Sequence, residues 1–345
     1  MSEAQSNAPP EDAGFPDPSG MSRRGPCVSV LTPVYRAERF VQEAVRSALS
    51  QPETLEVVLV EDGSPDDSLA VCERLAAEDR RVKLFRHPNG DNRGEAASRN
   101  LALSKACGDY LAFLDADDYF LPGRFETALD IMRRRRDVDG VYEGVVTRVE
   151  EGNADETLPE GSITGVSEEV APEELLEALI AGGRGYFCMG GIVLRRQVFD
   201  RVGRFDERLK LCPDTPMWWR IAALCRLVRG RCDRPVAVRR RHATNLLSKG
   251  APGVWDARYR YSLSAYRWAR ERKLDSPRMR LFRRALTDAI LDSAGSSGLS
   301  LRLRQLRRWA GAVAREPSLG FDSRIWGRAL SCMLSGGGSK TGDSG

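Results

Sequence analysis

Three carboxylates stand in four residues, Asp115-Ala116-Asp117-Asp118, directly after the apolar segment 110–114. Carboxylates this close repel one another and need a counter-charge where a buried strand ends. A divalent cation supplies it, and Mg²⁺ or Mn²⁺ held by one or two carboxylates plus phosphate oxygens is usual for nucleotide diphosphates. In an extended segment Asp115 and Asp117 share one side. The run predicts such a metal site, with a solvated acidic loop as the simpler alternative.

A second acidic turn, Glu61-Asp62-Gly63-Ser64, follows an earlier apolar run. A carboxylate there can accept hydrogen bonds from a nucleotide base or a ribose hydroxyl, and glycine lets the backbone turn sharply. The structural alternative is a plain acidic turn in which Asp66 caps the next helix. The residue types alone leave both readings open.

Strands and helices alternate through the first 120 residues and position these turns. The predicted strands are CVSVLTPVY, LEVVLVEDGS, VKLFRH and YLAFLDADD, and the predicted helices cover 37–49, 66–77 and 94–106. This order is typical of an α/β doubly wound, mostly parallel sheet, which binds ligands at the carboxyl ends of its strands. Further along we predict one strand over VDGVYEGVVTRVE, strands at CMGGIVLRR and RPVAVRRRH, and a helix at PMWWRIAALCRL.

Composition narrows the class of protein. The chain has 345 residues, 41% hydrophobic and 30% charged, with a net charge of only +4, which is ordinary for a globular protein and argues against nucleic acid as its partner. Eight cysteines without CxxC pairs indicate reduced core thiols. No apolar leader segment and no run of 18 apolar residues is present. We therefore expect a cytoplasmic protein.

The division into domains follows from the same patterns. We expect a disordered tail over 1–25, an α/β domain over 26–250, a basic helical extension over 251–335 and a flexible tail over 336–345.

The motifs, in this order, resemble glycosyltransferase family 2 and its GT-A fold. The resemblance covers roughly 27–248 and rests on VSVLTPVYRAERFVQEAVRSALSQ, LEVVLVEDGSPDDS, NRGEAASRNLAL, GDYLAFLDADDYFLPGRF, VFDRVGRFDERL and RHATNLLS. It implies a metal-dependent, inverting transfer of a sugar from a nucleoside diphosphate donor, with UDP the expected carrier, to a hydroxyl group. The acceptor would belong to polysaccharide, lipopolysaccharide or other glycan biosynthesis and would be a glycan or a lipid-linked sugar. Within the domain over 26–250, the resemblance implies that 26–120 forms the nucleotide-sugar half and 121–250 the acceptor half.

The resemblance also implies roles for individual residues. Asp117, with Asp115, would bind Mn²⁺ or Mg²⁺, and Asp214 would be the catalytic base. His242 and Asn245 match a late motif that approaches metal or diphosphate. The residues implied to bind the donor are Pro33, Tyr35, Glu38, Asp62, Asn92, Arg99, Asp115, Arg220 and His242.

The sequence departs from the family pattern at two positions, and the resemblance is therefore weaker for the acceptor side than for the donor side. Glu61 stands where the first Asp of the usual pair is expected, and Pro213 replaces the Glu that normally precedes Asp214. The Asp214 side chain could instead cap the helix that follows. Two alternatives therefore stay open: a sugar nucleotidyltransferase, although a Gly-rich signature loop is absent after the first strand, and a non-catalytic donor-binding or scaffolding member.

The C-terminal stretch 254–335 is strongly basic, with 17 Arg or Lys against 7 Asp or Glu. Its basic residues alternate with aromatic ones in helical stretches. They include Arg258, Arg260, Arg267, Arg270, Arg302, Arg304, Arg307 and Arg308, with Trp255, Tyr259, Tyr261, Tyr266, Trp268 and Trp309. Such helices suit peripheral contact with an anionic membrane or a lipid diphosphate, and solvated faces packed on the same domain are the simpler alternative.

Overall fold

The computed structural model describes residues 27–150, 161–166, 170–242 and 254–291, together with residues 310, 311 and 314. The predicted tails and the C-terminal residues Arg302, Arg304, Arg307, Arg308 and Trp309 lie outside the described residues, as does Asn245. Trp255 belongs to a described helix, but its side chain is not described.

The first half confirms the alternation of strands and helices. Its elements are β1 (Val28–Val34), α1 (Val41–Leu49), β2 (Thr54–Glu61), α2 (Ser68–Glu78), β3 (Val82–Arg86), α3 (Glu95–Lys105) and β4 (Tyr110–Phe113). β4 ends earlier than predicted, because the backbone turns after Leu114 and the N–H of Asp118 donates to the carbonyl of Asp115 at 3.0 Å. The acidic run is thus a turn, and the alternation expected of an extended segment does not apply to it.

The second half adds shorter strands and more helices. They are β5 (Tyr119–Phe120), α4 (Glu126–Arg134), β6 (Gly140–Tyr142), β7 (Val145–Val149), β8 (Ile163–Thr164), α5 (Leu175–Ala181), β9 (Ile192–Arg195), α6 (Val198–Val202), α7 (Asp214–Leu224), β10 (Leu227–Arg229), β11 (Ala237–Arg241), α8 (Val254–Glu271) and α9 (Ser276–Leu291). The prediction of a single strand over 138–150 was wrong. The segment divides at Glu143-Gly144 into β6 and β7, which belong to different sheets.

A buried ion pair explains that division. The Arg124 Nη1 donates to Glu143 Oε2 at 2.9 Å, and neither side chain is exposed by more than 1%. The same guanidinium donates to the carbonyl of Ile192 at 3.3 Å. Because the pair needs partners from β9 as well as from the loop before α4, it fixes the chain at the point where it leaves the large sheet.

The large sheet has seven strands in the order β10-β6-β9-β4-β1-β2-β3. All neighbours are parallel except β9, which runs antiparallel to both β4 and β6. β1 and β2 are almost wholly buried, as expected of central strands covered by helices on both faces. A smaller sheet, β5-β11-β7-β8, stands beside it. The predicted doubly wound, mostly parallel sheet is confirmed.

The C-terminal helices pack against the sheet domain instead of standing apart. Tyr259, Tyr266 and Trp268 of α8 are at most 8% exposed and belong to the same core cluster as β9 and α7. The indole N–H of Trp268 donates to the carbonyl of Val202 at 2.9 Å. These rings are therefore part of the protein core. Within the described part of the chain, no helix combines the length and apolarity needed to cross a membrane.

Candidate functional site

The carboxyl ends of β1, β2 and β4 meet at one edge of the large sheet, because these strands are parallel neighbours. The polar residues that follow each strand therefore come together, although up to 80 residues separate them in sequence. The start of α3, the start of α7 and the end of β11 approach the same edge. The candidate site is built from these six chain segments.

Asp62, after β2, holds the loop that leads into α3. Its Oδ1 accepts the backbone N–H of Arg93 at 2.7 Å, and its Oδ2 accepts that of Gly94 at 2.9 Å. In return Asn92 donates its side-chain amide to the carbonyl of Asp62 at 2.8 Å. Gly63 has φ +66°, and a Cβ there would lie 2.6 Å from the carbonyl oxygen of Gly90. Asp62 and Asn92, two of the predicted donor residues, thus hold each other in place through hydrogen bonds between their loops.

The end of β1 and the turn after it carry three more of the predicted donor residues. Tyr35 is 40% exposed, one of three large hydrophobic side chains that are exposed in the described part of the chain. Glu38 is tied to the second turn, since its Oε2 accepts the N–H of Asp67 at 2.9 Å. Pro33 is the sixth residue of β1 and is partly buried. An open aromatic ring beside two fixed acidic turns is suited to stack on a planar base.

Arg99 is buried between carboxylates. It is 1% exposed, and its Nη2 donates to Asp115 Oδ1 at 2.7 Å and also pairs with Glu95, one helical turn earlier. Burial raises the pKa of Asp115, which Arg99 opposes. Burial, with the nearby charges of Asp115 and Asp214, raises the pKa of Glu95 to about 7 against the attraction of Arg99. One guanidinium therefore serves an electronegative cluster of three carboxylates.

Asp117 contacts His242, 125 residues away in the sequence. The imidazole Nε2 lies 3.1 Å from Asp117 Oδ2. The ring also stacks on Phe40, with centroids 4.8 Å apart and an interplanar angle of 25°. The α1 region thus orients an imidazole toward the carboxylate that the sequence predicts as the principal metal ligand.

Asp118 fastens the acidic turn to β11. Its Oδ1 accepts the N–H of Arg240 at 2.8 Å, and burial together with Asp117 and Asp115 raises its pKa well above the usual value. The Arg240 guanidinium donates to the carbonyl of Asp117 at 3.2 Å and lies over the ring of Tyr119 at 4.6 Å. Arg240 therefore sets the geometry of the turn without itself facing a ligand.

Asp214 is the first residue of α7, and Pro213 stands at the cap position. No side-chain hydrogen bond caps this helix, so the capping alternative for Asp214 is wrong. The carboxylate lies within electrostatic range of Glu95, Arg99 and Asp115. Asp214 thus lies at the same edge of the sheet as Asp115.

Arg220 is the predicted donor residue that the structure directs elsewhere. Its Nη2 donates to Ser264 Oγ of α8 at 3.0 Å, and its Nη1 donates to the carbonyl of Arg204 at 3.1 Å. The guanidinium also lies over the ring of Trp268, at 5.6 Å from its centroid. Arg220 is 6% exposed and joins α7 to the C-terminal helix rather than to the acidic cluster.

The donor set at this edge fits a divalent cation of the nucleotide-binding type. Among the described residues, no three His, Cys, Asp or Glu side chains are grouped to hold a metal by themselves. Asp117 and His242 offer one carboxylate and one imidazole in contact, a set that suits Mn²⁺ and, through the carboxylate, Mg²⁺. Two protein ligands are enough where a diphosphate supplies further oxygens.

Three residues of the site were missed from the sequence. Glu95 was hidden in a helix-start motif, although its i,i+4 spacing to Arg99 could have indicated the pair. Phe40 and Arg240 carried no local signal, because their roles depend on contacts between α1, the acidic turn and β11. Only the folded arrangement reveals them.

The chain is similar in sequence to known glycosyltransferases. The family model described as "Glycosyl transferase family 2" matches residues 29–203. A protein of Haemophilus influenzae named "Uncharacterized glycosyltransferase" is 41% identical over 108 residues, covering 31% of this chain and 42% of that protein. "Putative glycosyltransferase EpsE" of Bacillus subtilis is 31% identical over 201 residues, covering 57% of this chain and 66% of that protein. The chain spans only part of the length of these curated relatives.

Solved structures show the same fold. The chain is similar to S. aureus TarS 1-349 in complex with UDP-GlcNAc, with a TM-score of 0.61 and 18% identity over 83% of this chain and 80% of that one. TarS 1-349 in complex with UDP gives the same TM-score over 87% of this chain and 82% of that one. The likeness establishes a GT-A type architecture.

Proposed function

The chain belongs to glycosyltransferase family 2, and we propose that it transfers a sugar from a nucleoside diphosphate donor to a hydroxyl group. One observation carries the proposal: Asp62 follows β2, Asp115 and Asp117 follow β4, these two strands run parallel on either side of β1, and His242 and Asp214 reach the same edge. A transferase that uses a nucleotide sugar must bind the nucleotide base and the diphosphate, and it needs a group that accepts the proton of the acceptor hydroxyl. In this proposal Asp62 serves the nucleotide base, Asp117 and His242 serve the diphosphate, and Asp214 accepts the proton.

The donor would lie along this edge with its nucleoside on the first two turns. Tyr35 offers its exposed face to the base, while Asp62, already bonded to two backbone amides, keeps the loop at Asn92 rigid and has lone pairs left for a base N–H. UDP is the expected carrier, and the structurally similar TarS has been solved with UDP-GlcNAc. Rigid turns lower the entropy cost of ordering the ligand.

Asp117 and His242 are the residues that would hold Mn²⁺ or Mg²⁺ beside the diphosphate. A bound cation supplies Lewis-acid stabilisation of the charge that grows on the leaving diphosphate. Phe40 and Arg240 keep the two ligands in place through the stacked ring and the clamped turn. Arg99, buried against Asp115, holds that carboxylate in place and offsets part of the negative charge of the cluster.

Asp214 is the proposed base. As the acceptor oxygen forms a bond to the anomeric carbon, its proton passes to the Asp214 carboxylate and the bond from that carbon to the diphosphate breaks, with the electron pair leaving on the diphosphate. Attack from the side opposite the leaving group inverts the anomeric configuration. We propose that 26–120 is the donor half of the domain and 121–250 the acceptor half, with His242 as a residue of the second half that serves the donor.

The remaining expectations concern the acceptor and the cell membrane. We propose a glycan or lipid-linked acceptor on the grounds of membership of glycosyltransferase family 2. Of the aromatic residues proposed for peripheral membrane contact through 255–335, Tyr259, Tyr266 and Trp268 are buried in the core and would not contribute to it. Flotation with anionic liposomes, comparing the full chain with a variant lacking 292–345, measures it directly.

The proposed function is tested by incubating the protein with a panel of nucleotide sugars and glycan acceptors, with and without Mn²⁺, and identifying the products. Transfer predicts free nucleoside diphosphate and a glycoside of inverted configuration. Release of pyrophosphate from a nucleoside triphosphate and a sugar phosphate would instead identify a nucleotidyltransferase. Binding without turnover of any donor would identify a non-catalytic member. In Asp214→Asn, transfer should cease while donor binding persists, and unchanged transfer would refute Asp214 as the base.

A further inference from the structure

An exposed tyrosine and a half-buried arginine form a pair on the acceptor side of the site. Tyr186 lies in the loop between α5 and β9 and is 43% exposed, and its hydroxyl accepts a hydrogen bond from Arg239 Nη1 at 3.3 Å. Gly185 has φ +96°, and a Cβ there would lie 2.0 Å from the carbonyl oxygen of Gly165. The loop is therefore seated against the segment after β8 and holds the Tyr186 ring outward.

Asp118 and Asp115 compensate the charge of Arg239 at long range, without an ion pair. In the part of the chain that the structure describes, no carboxylate lies within ion-pair distance of its guanidinium, and the Tyr186 hydroxyl is its hydrogen-bond partner. Its neighbour Arg240, by contrast, pairs with Glu43 and donates to the carbonyl of Asp117. A partly buried guanidinium that, among the described residues, donates to a neutral hydroxyl and to no carboxylate has N–H groups left to bind an anion.

The pair is close to the acidic cluster but on the side of Asp214. Asp118 and Asp115 act electrostatically on Arg239, and the buried thiol of Cys188 is within range of both Arg239 and Asp214. Tyr35, the candidate platform for the nucleotide base, belongs instead to the turn after β1. Tyr186 and Arg239 thus stand near the reacting end of the site, where an acceptor must approach.

We propose that Tyr186 and Arg239 form an acceptor subsite for a sugar unit that carries a phosphate or carboxylate group. The apolar face of the sugar ring stacks on the Tyr186 ring, and the anionic group accepts bidentate, charge-assisted hydrogen bonds from the guanidinium of Arg239. This inference rests on the proposed function, because it identifies the acceptor class for the same site. The donor diphosphate is the competing source of the anionic group.

The subsite is tested by saturation-transfer NMR and calorimetric titration with paired probes. The pairs are glucose and glucose 6-phosphate, N-acetylglucosamine and its 6-phosphate, and galactose and galacturonate, each with UDP and Mn²⁺ present so that the donor site is filled. The wild-type protein should bind the anionic member of at least one pair roughly ten- to a hundredfold more tightly, the scale of one charged hydrogen bond. Equal binding within every pair, or no binding, overturns the proposal.

Variants locate the effect. Arg239→Gln should abolish the preference and leave the neutral sugar unchanged, Arg239→Lys should retain part of it, and Tyr186→Ala should weaken both members. Arg148→Gln is the matched control, because Arg148 is exposed and likewise donates to a tyrosine hydroxyl, that of Tyr119, at 3.0 Å. It should change nothing. Thermal unfolding of each variant identifies any that fail to fold.

UDP titration separates this inference from the proposed function. If Arg239→Gln weakens UDP binding and keeps the preference within the pairs, the cation serves the donor diphosphate and the acceptor subsite is refuted. If the wild-type protein does not bind UDP at all, the proposed function fails. The paired titrations are then repeated without UDP and still decide whether Tyr186 and Arg239 select an anionic sugar.

Discussion

Replacing Arg220 distinguishes a donor-binding residue from an anchor of the C-terminal helices. In Arg220→Met the side chain keeps its length but loses hydrogen bonds to Ser264 Oγ and to the carbonyl of Arg204. Asp206 keeps its ion pair with Arg208 at 2.8 Å, so no buried charge is left alone. Burial lowers the pKa of Arg220 to about 10, which shows that desolvation offsets part of what its contacts contribute.

The loss of two hydrogen bonds made by a charged, largely buried guanidinium, less that offset, predicts a loss of about 2 kcal/mol in the free energy of unfolding. For a domain of this size the midpoint of thermal unfolding falls by about 4–8 °C. UDP affinity, measured calorimetrically on the folded protein, should stay within about twofold of wild type. An exposed arginine variant, Arg234→Met, controls for loss of charge. Unchanged stability with tenfold weaker UDP binding would refute the anchoring role and restore the donor role implied by the family resemblance.

Two further perturbations follow from buried charges. The raised pKa of Glu95 means that ionisation of this carboxyl opposes folding, so its favourable contribution to stability is present below its unfolded pKa of 4.5 and is lost as the pH rises through about 7. In urea titrations, Glu95→Gln should flatten the dependence of the free energy of unfolding on pH in this range. An unaltered dependence would contradict the raised pKa. Glu143→Gln removes the counter-charge of the fully buried Arg124 and should cost about 3 kcal/mol, while the double variant with Arg124→Met should cost less than the two single changes together; strict additivity would argue against a coupled pair.

The fold and the donor side were predictable because their signals are local. Each strand of the first half is a short apolar run, and Asp62 and Asp115 directly follow such runs, so the parallel arrangement alone brings them to one edge. The acidic run was harder to interpret, because whether the backbone stays extended after Leu114 depends on a turn hydrogen bond between Asp118 and Asp115.

The second half of the domain was less predictable because its geometry comes from distant contacts. Arg220 occupies a position that a motif can match, but the face of α7 that it uses is decided by α8, which lies beyond the motif. The division of the predicted strand at Glu143 depends on Arg124, from another segment. Arg239 and Tyr186 are 53 residues apart, and no spacing rule in the sequence joins them.

The central claim is a nucleotide diphosphate site organised by Asp117 at the ends of the parallel strands. Calorimetric titration of UDP into the wild-type protein and into Asp117→Ala, each with and without Mn²⁺, tests it most directly. We predict that Mn²⁺ tightens UDP binding by the wild-type protein and that Asp117→Ala loses this enhancement while remaining folded. Failure of the wild-type protein to bind UDP, or an undiminished Mn²⁺ enhancement in Asp117→Ala, would contradict the account.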